Sequence, residues 1–293
     1  MSRPLPIALA QAVPHPVDVP LTRFTAEVEE LAGRFPQARF VVFPEMHLHG
    51  GDATGQRREE QLAASAEPLD GPRSRALAEL AGDLKIWLLP GSVCERGADA
   101  SLYNTAVAYS PEGRLAAWYR KIFPWRPYEP YRPGDRFVVF DLPGTGRVGF
   151  AICYDAWFPE VARHLAWMGA EVIVNPVMTT TADRAQELVL ARANAIVNQV
   201  YVVSVNTAAP AGTGRSLVVD PEGRVRAEAG EAATVLTDVL DLDDVTRVRT
   251  CGTAGLNRMW SQFTAADRPV ELPLYGGRID PATWAPDPGR ASG

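Results

Sequence analysis

The stretch GFAICYD (residues 149–155) predicts an apolar β-strand that ends in a thiol. Two other stretches share this design: FVVFPE (residues 40–45) predicts a strand that ends in a carboxylate, and AAWYRK (residues 116–121) predicts a strand that ends in an ammonium group. Ligands collect at strand ends in α/β sheets, because the backbone diverges there into loops. The sequence therefore predicts that these three strand ends share one site.

The segments before the thiol predict a layered α/β fold. Strands rich in β-branched and aromatic residues alternate with helical patterns of apolar residues, which is typical of α/β domains. The predicted strands are residues 5–10, 39–43 and 85–89, and the predicted helices are residues 21–34 and 73–82.

The rest of the chain predicts a second half built like the first. Each half contains a hairpin with a Pro-Glu-Gly turn, formed by residues 103–119 in the first half and 216–228 in the second. The other predicted strands are 137–140, 148–152, 171–174 and 200–205, and the other predicted helices are 158–168 and 183–198. This pseudo-symmetry predicts two sheets packed face to face with helices outside. We expect one domain, residues 1–280, and a loose tail rich in Pro, Gly and Ala, residues 281–293.

The composition is that of an ordinary globular protein. The chain has 293 residues, of which 46% are hydrophobic and 22% are charged, and its net charge is -6. Nucleic-acid binders usually carry a basic face, so this charge argues against nucleic acid. The three cysteines are few and widely spaced, which favours a reducing compartment. No secretory signal and no apolar run of about 18 residues is present, so we expect a cytoplasmic protein without a membrane span.

The three strand-end groups suit nucleophilic catalysis. The Cys153 thiol is mostly protonated near neutral pH, so it needs a base or a nearby cation before it can attack. Glu45 could take the proton and hand it to a leaving amine, and Lys121 could stabilise the developing oxyanion. The product would be a thioester, which water would hydrolyse. This chemistry needs no metal and no organic cofactor.

The blocks around these residues resemble the three signature blocks of the nitrilase (carbon–nitrogen hydrolase) superfamily. The blocks are residues 43–45, 120–124 and 152–155, and the resemblance runs from about residue 5 to residue 245. It implies an α/β fold of the four-layer α-β-β-α sandwich type. It also implies that Glu45 is the general base, Lys121 the electrophilic stabiliser and Cys153 the nucleophile.

A further match and one departure refine the expected reaction. Residues 128–135 look like the segment that carries a second glutamate in amidase-like members, which implies that Glu129 holds Lys121 and helps to place the substrate amide. True nitrilases usually place Trp-Glu after the nucleophile, whereas this chain has Tyr154 and Asp155. We therefore expect a small-molecule amide as the substrate rather than a nitrile.

Five side chains near the catalytic blocks are candidates for substrate binding, although they could equally pack in the interior. They are Tyr154, Trp157, Trp125, Met178 and Thr179.

Other residues are expected to have no part in the chemistry. We expect Cys94 and Cys251 to be inert. His47 and His49 invite a metal interpretation, but the other two histidines, His15 and His164, show no ligand spacing. The sequence therefore predicts no metal site, and it places His47 and His49 near the rim of the pocket.

Several functions compete with a simple amidase. An N-carbamoyl hydrolase, a nitrilase and an acyltransferase would use the same nucleophile on the same scaffold, and a decayed scaffold could serve as a non-enzymatic binding protein. The intact Glu45, Lys121 and Cys153 argue against the last alternative. The resemblance also implies a homodimer or a higher homo-oligomer. The sequence does not identify the substrate or the acceptor of the acyl group.

Overall fold

The first strand shows how the sequence pattern builds the fold. In the computed structural model, which describes residues 2–51, 55–272 and 277–279, β1 (Pro4–Gln11) is buried along most of its length. Leu5, Ile7 and Leu9 point into the core between two sheets, whereas Ala8 and Ala10 pack under helices. Successive side chains on a strand face opposite ways, so one strand contributes to two apolar layers.

The first half of the chain contains six strands and three helices among the described residues. They are β1, α1 (Leu21–Arg34), β2 (Phe40–Val42), α2 (Gly55–Ser65), α3 (Pro72–Leu84), β3 (Trp87–Leu89), β4 (Ser92–Arg96), β5 (Leu102–Ser110) and β6 (Arg114–Arg120). All three strands and both helices predicted before residue 90 are confirmed, as is the first hairpin.

The second half repeats this alternation. Its elements are β7 (Val139–Leu142), β8 (Gly146–Phe150), a 3-10 helix (Cys153–Trp157), α4 (Pro159–Trp167), β9 (Val172–Val177), α5 (Arg184–Asn198), β10 (Tyr201–Asn206), β11 (Leu217–Val219), β12 (Val225–Glu228), β13 (Thr234–Asp241) and α6 (Asp243–Cys251). A second 3-10 helix (Met259–Ser261) and the small hairpin of β14 (Val270–Leu272) and β15 (Gly277–Ile279) follow.

Two large sheets carry the fold. The first has the order β13-β1-β2-β3-β5-β4, with β6 paired to β5, and the second has the order β12-β11-β10-β9-β8-β7. The strands β1, β2 and β3 run parallel, as do β8, β9 and β10, whereas the outer strands join in antiparallel fashion. Each sheet thus has a parallel centre with antiparallel strands at its flanks.

Three apolar clusters confirm the predicted four layers. One cluster contains side chains from both sheets, including Leu9 and Val42 from the first and Phe150 and Val203 from the second. A second cluster joins the first sheet to α1 and α3, and a third joins the second sheet to α4 and α5. The order of the layers is therefore helix, sheet, sheet, helix.

Among the described residues, the unpredicted elements are α2, β4, β13, α6, the two 3-10 helices and the small hairpin of β14 and β15. The helix α2 buries only Leu62 and is highly charged, so its sequence shows little apolar periodicity. The strand β4 is short, and β13 and α6 lie close to the end of the predicted second half. The predicted tail, residues 281–293, lies outside the described residues. Within the described ranges, none of the helices has both the length and the apolar character that a bilayer crossing requires.

Candidate active site

The predicted site residues meet at one edge of the sandwich. Glu45 lies three residues after β2, Lys121 follows β6 directly, and Cys153 lies three residues after β8. The Lys121 Nζ lies 3.0 Å from Glu45 Oε1 and 2.9 Å from Glu129 Oε1. The structure therefore brings together residues that are far apart in the sequence.

Lys121 is a buried cation held between two carboxylates. Its side chain is 1% exposed, and an ammonium in such a position needs opposite charges nearby. Burial alone would lower the pKa of Lys121, but the neighbouring Glu45 and Glu129 carboxylates raise that pKa well above its usual value. Lys121 is therefore charged. An ammonium has three protons, and two are donated to the carboxylates, so one is left for another acceptor.

Glu45 is oriented by Asn104 as well as by Lys121. The Asn104 Nδ2 donates to Glu45 Oε1 over 2.8 Å, and the Asn104 carbonyl accepts the backbone N–H of Lys121 over 2.9 Å. A single residue of β5 thus positions the base and the cation. Sequence reasoning missed Asn104, although a polar residue inside the largely apolar strand β5 was a usable signal.

Glu129 is fixed through both of its carboxylate oxygens. Its Oε1 accepts from Lys121, and its Oε2 accepts the backbone N–H of Trp125 over 2.7 Å. Burial raises the pKa of Glu129, while the charge and the hydrogen bond of Lys121 oppose that rise. A carboxylate with two donors in place is suited to holding Lys121 still, which is the role that the sequence predicted.

Cys153 begins the 3-10 helix with an unusual backbone conformation. Its φ is 44°, in the left-handed region that non-glycine residues seldom adopt, and such conformations concentrate at functional sites. The residue as a whole is partly exposed. Burial of the thiol and the neighbouring Glu45 carboxylate raise the pKa of Cys153 well above its usual value, although Lys121 opposes them. The resting group is therefore a thiol, and its activation needs a base.

Asp155 links the turn that contains Cys153 to the loop that follows Lys121. Its carboxylate is fully buried and accepts the backbone N–H groups of Ile152 and Phe123, both over 2.9 Å. It also accepts the Tyr119 hydroxyl over 2.8 Å. Burial raises the pKa of Asp155 to about 6, against the lowering effects of Lys121 and these three donors. In the sequence, Asp155 bore only on the choice between amide and nitrile substrates, and its hydrogen bonds were not predicted.

Three aromatic candidates for substrate binding lie in two places. Tyr154 and Trp157 are in the 3-10 helix after the nucleophile, with ring centroids 6.1 Å apart, and both are half-buried. Trp125 lies in the loop after Lys121 and is 39% exposed, with its ring 4.4 Å from that of Tyr128. Their part in substrate binding stays a prediction.

The other two candidates follow β9. Met178 packs against a cluster that includes Met46 and Tyr131, and it also lines a cavity of about 1170 Å³ beside α2. The Thr179 hydroxyl donates over 2.8 Å to the buried carboxylate of Glu187, so its hydrogen bond is already committed. Of these two side chains, Met178 is the freer to contact a substrate.

The two histidines after Glu45 are buried, so their predicted place at the pocket rim is wrong. His47 is 0% exposed and His49 is 1% exposed. The Nε2 of His47 faces Glu27 over 3.0 Å, whereas the Nε2 of His49 accepts the backbone N–H of Cys94 over 3.1 Å. The two rings are thus engaged with different partners, and each anchors the turn that carries Glu45.

We expect Tyr119→Phe to lower kcat and to shift the acid limb of the kcat profile to higher pH. The Tyr119 hydroxyl stabilises the ionised Asp155 carboxylate, whose pKa is about 6. Loss of this hydroxyl should raise the pKa of Asp155 further, so that Asp155 becomes protonated at higher pH. A kcat profile against pH measures the shift.

Tyr109→Phe is the matched control. Its hydroxyl is also buried and contacts Ser74 over 3.1 Å, away from the catalytic residues. Both variants should lose about 1–3 kcal/mol of unfolding free energy. An identical pH profile in the two variants would show that Asp155 does not govern activity.

Curated relatives of this chain are amidases. It is 36% identical to the human omega-amidase NIT2 over 203 residues. The aligned region covers 63% of this chain and 72% of that protein. It is 32% identical over 207 residues to a formamidase of Bacillus cereus, which covers 70% of this chain and 60% of the formamidase. The match thus spans less than two thirds of the formamidase's own length.

Solved structures share the fold. Nit3 of Saccharomyces cerevisiae, described as a member of branch 10 of the nitrilase superfamily, has a TM-score of 0.75 and 28% identity, over 85% of this chain and 94% of that one. A variant of the amidase from Nesterenkonia sp. AN1 has a TM-score of 0.69 and 25% identity, over 85% of this chain and 94% of that one. That structure shows the acetamide moiety of fluoroacetamide added covalently at its active-site cysteine.

A family model agrees with these similarities. The model described as carbon–nitrogen hydrolase matches residues 7–250, a range that includes both large sheets except the first residues of β1, and every catalytic candidate. The chain therefore belongs to the carbon–nitrogen hydrolase family of the nitrilase superfamily.

Proposed function

We propose that the protein is an amidase that releases ammonia from a small amide through a thioester on Cys153. The observation that carries this proposal is the buried Lys121, which is held by Glu45 and Glu129 and acts electrostatically on the Cys153 thiol. A base, a cation and a nucleophile in one partly exposed place are what acyl transfer requires.

The first half of the reaction forms the thioester. Glu45 takes the proton from the Cys153 thiol as the sulfur attacks the amide carbonyl. The free proton of Lys121 donates to the oxyanion of the tetrahedral intermediate, which is where negative charge develops. Glu45 then gives its proton to the leaving nitrogen, and ammonia departs. The C–N bond breaks as the C–S bond persists.

The second half hydrolyses the thioester. Glu45, now unprotonated, removes a proton from water, and the hydroxide adds to the thioester carbonyl. Lys121 again stabilises the oxyanion. The intermediate collapses, the C–S bond breaks, and the sulfur regains the proton that Glu45 holds. Glu129 takes no proton in this scheme because it keeps Lys121 in place.

Amides are favoured over nitriles by two observations. The relatives named above are an omega-amidase and a formamidase, which act on amides by name. The residues after the nucleophile are Tyr154 and Asp155, and the Asp155 carboxylate is committed to three donors of the protein. The proposed substrates are therefore short primary amides.

We expect Cys153→Ala to abolish turnover while the protein stays folded, because no other group can form the thioester. Ammonia release measures the loss, and circular dichroism checks the fold. Cys251→Ala is the matched control, since Cys251 is an exposed free cysteine. Normal turnover by the Cys153 variant would contradict the mechanism.

Glu45→Gln should lower kcat by about 10²- to 10⁴-fold, the usual contribution of a general base. The amide oxygen of Gln can still accept from Asn104 and Lys121, so the geometry should survive. Glu112→Gln, an exposed change of the same kind in the β5–β6 turn, should leave kcat unaltered. Equal kcat values for both variants would remove Glu45 from the reaction.

A matched substrate panel tests the reaction itself. We expect ammonia and propionate from propionamide, and far slower turnover of propionitrile and of a carbamoyl amino acid. Added hydroxylamine should divert part of the thioester to a hydroxamate, which mass spectrometry detects. Turnover of the nitrile alone would indicate a nitrilase, and turnover of the carbamoyl compound alone would indicate a carbamoylase. Transfer of the propionyl group to an added acceptor, with no free propionate, would indicate an acyltransferase.

A further inference from the structure

Three side chains that the proposed reaction does not use converge beside the turn of the general base. His15 precedes α1, Glu27 lies on α1, and His47 lies two residues after Glu45. We call them the histidine–glutamate cluster. The Nε2 atoms of His15 and His47 lie 2.8 Å and 3.0 Å from the same oxygen, Glu27 Oε2. All three donor atoms lie within 4.8 Å of one another.

We propose that the histidine–glutamate cluster binds a divalent transition-metal ion of the zinc type. Two imidazole nitrogens and one carboxylate oxygen are a common protein ligand set for zinc, and donors of this kind also suit Co²⁺ and Ni²⁺. The Nε2 atoms of His15 and His47 both lie at hydrogen-bond distance from Glu27 Oε2, so an ion would replace these two hydrogen bonds.

The backbone holds the cluster in place before any ion binds. The N–H of His15 donates to the carbonyl of His47 over 2.8 Å, and the N–H of Gly50 donates to the carbonyl of His15 over 2.7 Å. These bonds tie the segment before α1 to the turn after β2. The His47 ring is enclosed by Phe24 and Phe43, with centroids 5.7 Å and 5.0 Å away. The site therefore needs little ordering when an ion arrives.

The ion has a route to the cluster and room for water ligands. The side chains of His15 and Glu27 are 17% and 29% exposed, whereas His47 is fully buried. His15 also lines a cavity of about 440 Å³. Three protein ligands and an open side are typical of sites that keep solvent at the fourth position.

Ligation by His47 requires a change of tautomer, because the Nε2 that faces the Glu27 carboxylate carries the ring proton in that hydrogen bond. To ligate through Nε2 the ring must carry its proton on Nδ1, and Nδ1 has no hydrogen-bond partner among the described residues. The ring therefore has an unpartnered nitrogen with either tautomer. Metal binding exchanges the Nε2 hydrogen bond to Glu27 for a metal–nitrogen bond, and the metal bond must outweigh that loss.

The cluster differs from the histidine pair that the sequence suggested. His49, two residues further on, is committed through its Nε2 to Cys94 and Arg73. His15, which showed no ligand spacing in the sequence, takes its place beside His47. The expectation of no metal site rested on spacing along the chain, whereas these ligands come from three separate segments.

Titration of untagged protein with Zn²⁺ and Co²⁺ tests the proposal. We would use the Cys153→Ala/Cys251→Ala variant, because accessible thiols compete for these ions. The expected result is one equivalent bound in competition with a chromogenic chelator, and visible Co²⁺ bands without the charge-transfer absorption of a thiolate. The melting temperature should rise with the ion. Failure to bind one equivalent at submillimolar free ion would overturn the proposal.

Substitutions in the same background locate the site. His15→Ala and Glu27→Gln should each weaken binding by at least about tenfold. Glu29→Gln, an exposed change of the same kind on α1, should leave binding intact. His15→Ala keeps the test meaningful should Glu27→Gln misfold, because His15 lies in a partly exposed loop. Unchanged affinity in the two cluster variants would show that the ion binds elsewhere and would overturn the assignment.

Discussion

The site depends on one buried ammonium. Lys121 is almost fully shielded from water, and a lone charge in that position would cost several kcal/mol. Glu45 is in turn a buried carboxylate and Glu129 a partly buried one, and both need a cation. The opposite charges of these three groups lower the free-energy cost of burying each of them. A substitution at one of them should therefore affect the other two. This mutual dependence keeps Glu45 and Lys121 in place while water is largely excluded from them.

The same network explains why the thiol is neutral at rest. Two carboxylates share one ammonium, so the site already carries excess negative charge when both are ionised. Burial of the thiol is the main cause of the raised pKa of Cys153, and the Glu45 carboxylate adds to it, although Lys121 opposes both. A proton therefore has to move at the moment of attack. The arrangement favours a base beside the nucleophile over a permanently activated sulfur, which was the choice that the sequence left open.

The sequence predicted the layers well because they follow from local periodicity. Strands such as β1 alternate their side chains between two buried faces, and α1 spaces its apolar residues for one face. The helix α2 lacks such a signal, and its position depends on contacts with distant residues. The small number of buried side chains in α2 leaves little trace in the sequence.

The candidate site was predicted only in part, for a related reason. Glu45, Lys121 and Cys153 stand out because each ends an apolar strand, and Glu129 followed from the resemblance. Asn104 contacts the Glu45 carboxylate and Asp155 contacts the backbone N–H of Phe123; these partners lie far away in the chain, and no spacing rule connects them. The meeting of His15 with His47 likewise depends on how two loops cross.

The catalytic groups come from different sheets, and this bears on how the protein acquires activity during folding. Glu45 and Lys121 follow strands of the first sheet, and Cys153 follows a strand of the second. Contacts between such distant segments form slowly, because long loops must close first. A folding intermediate in which only one sheet has formed positions either Glu45 and Lys121 or Cys153, but not all three. The proposed turnover of an amide therefore requires that the two halves have docked.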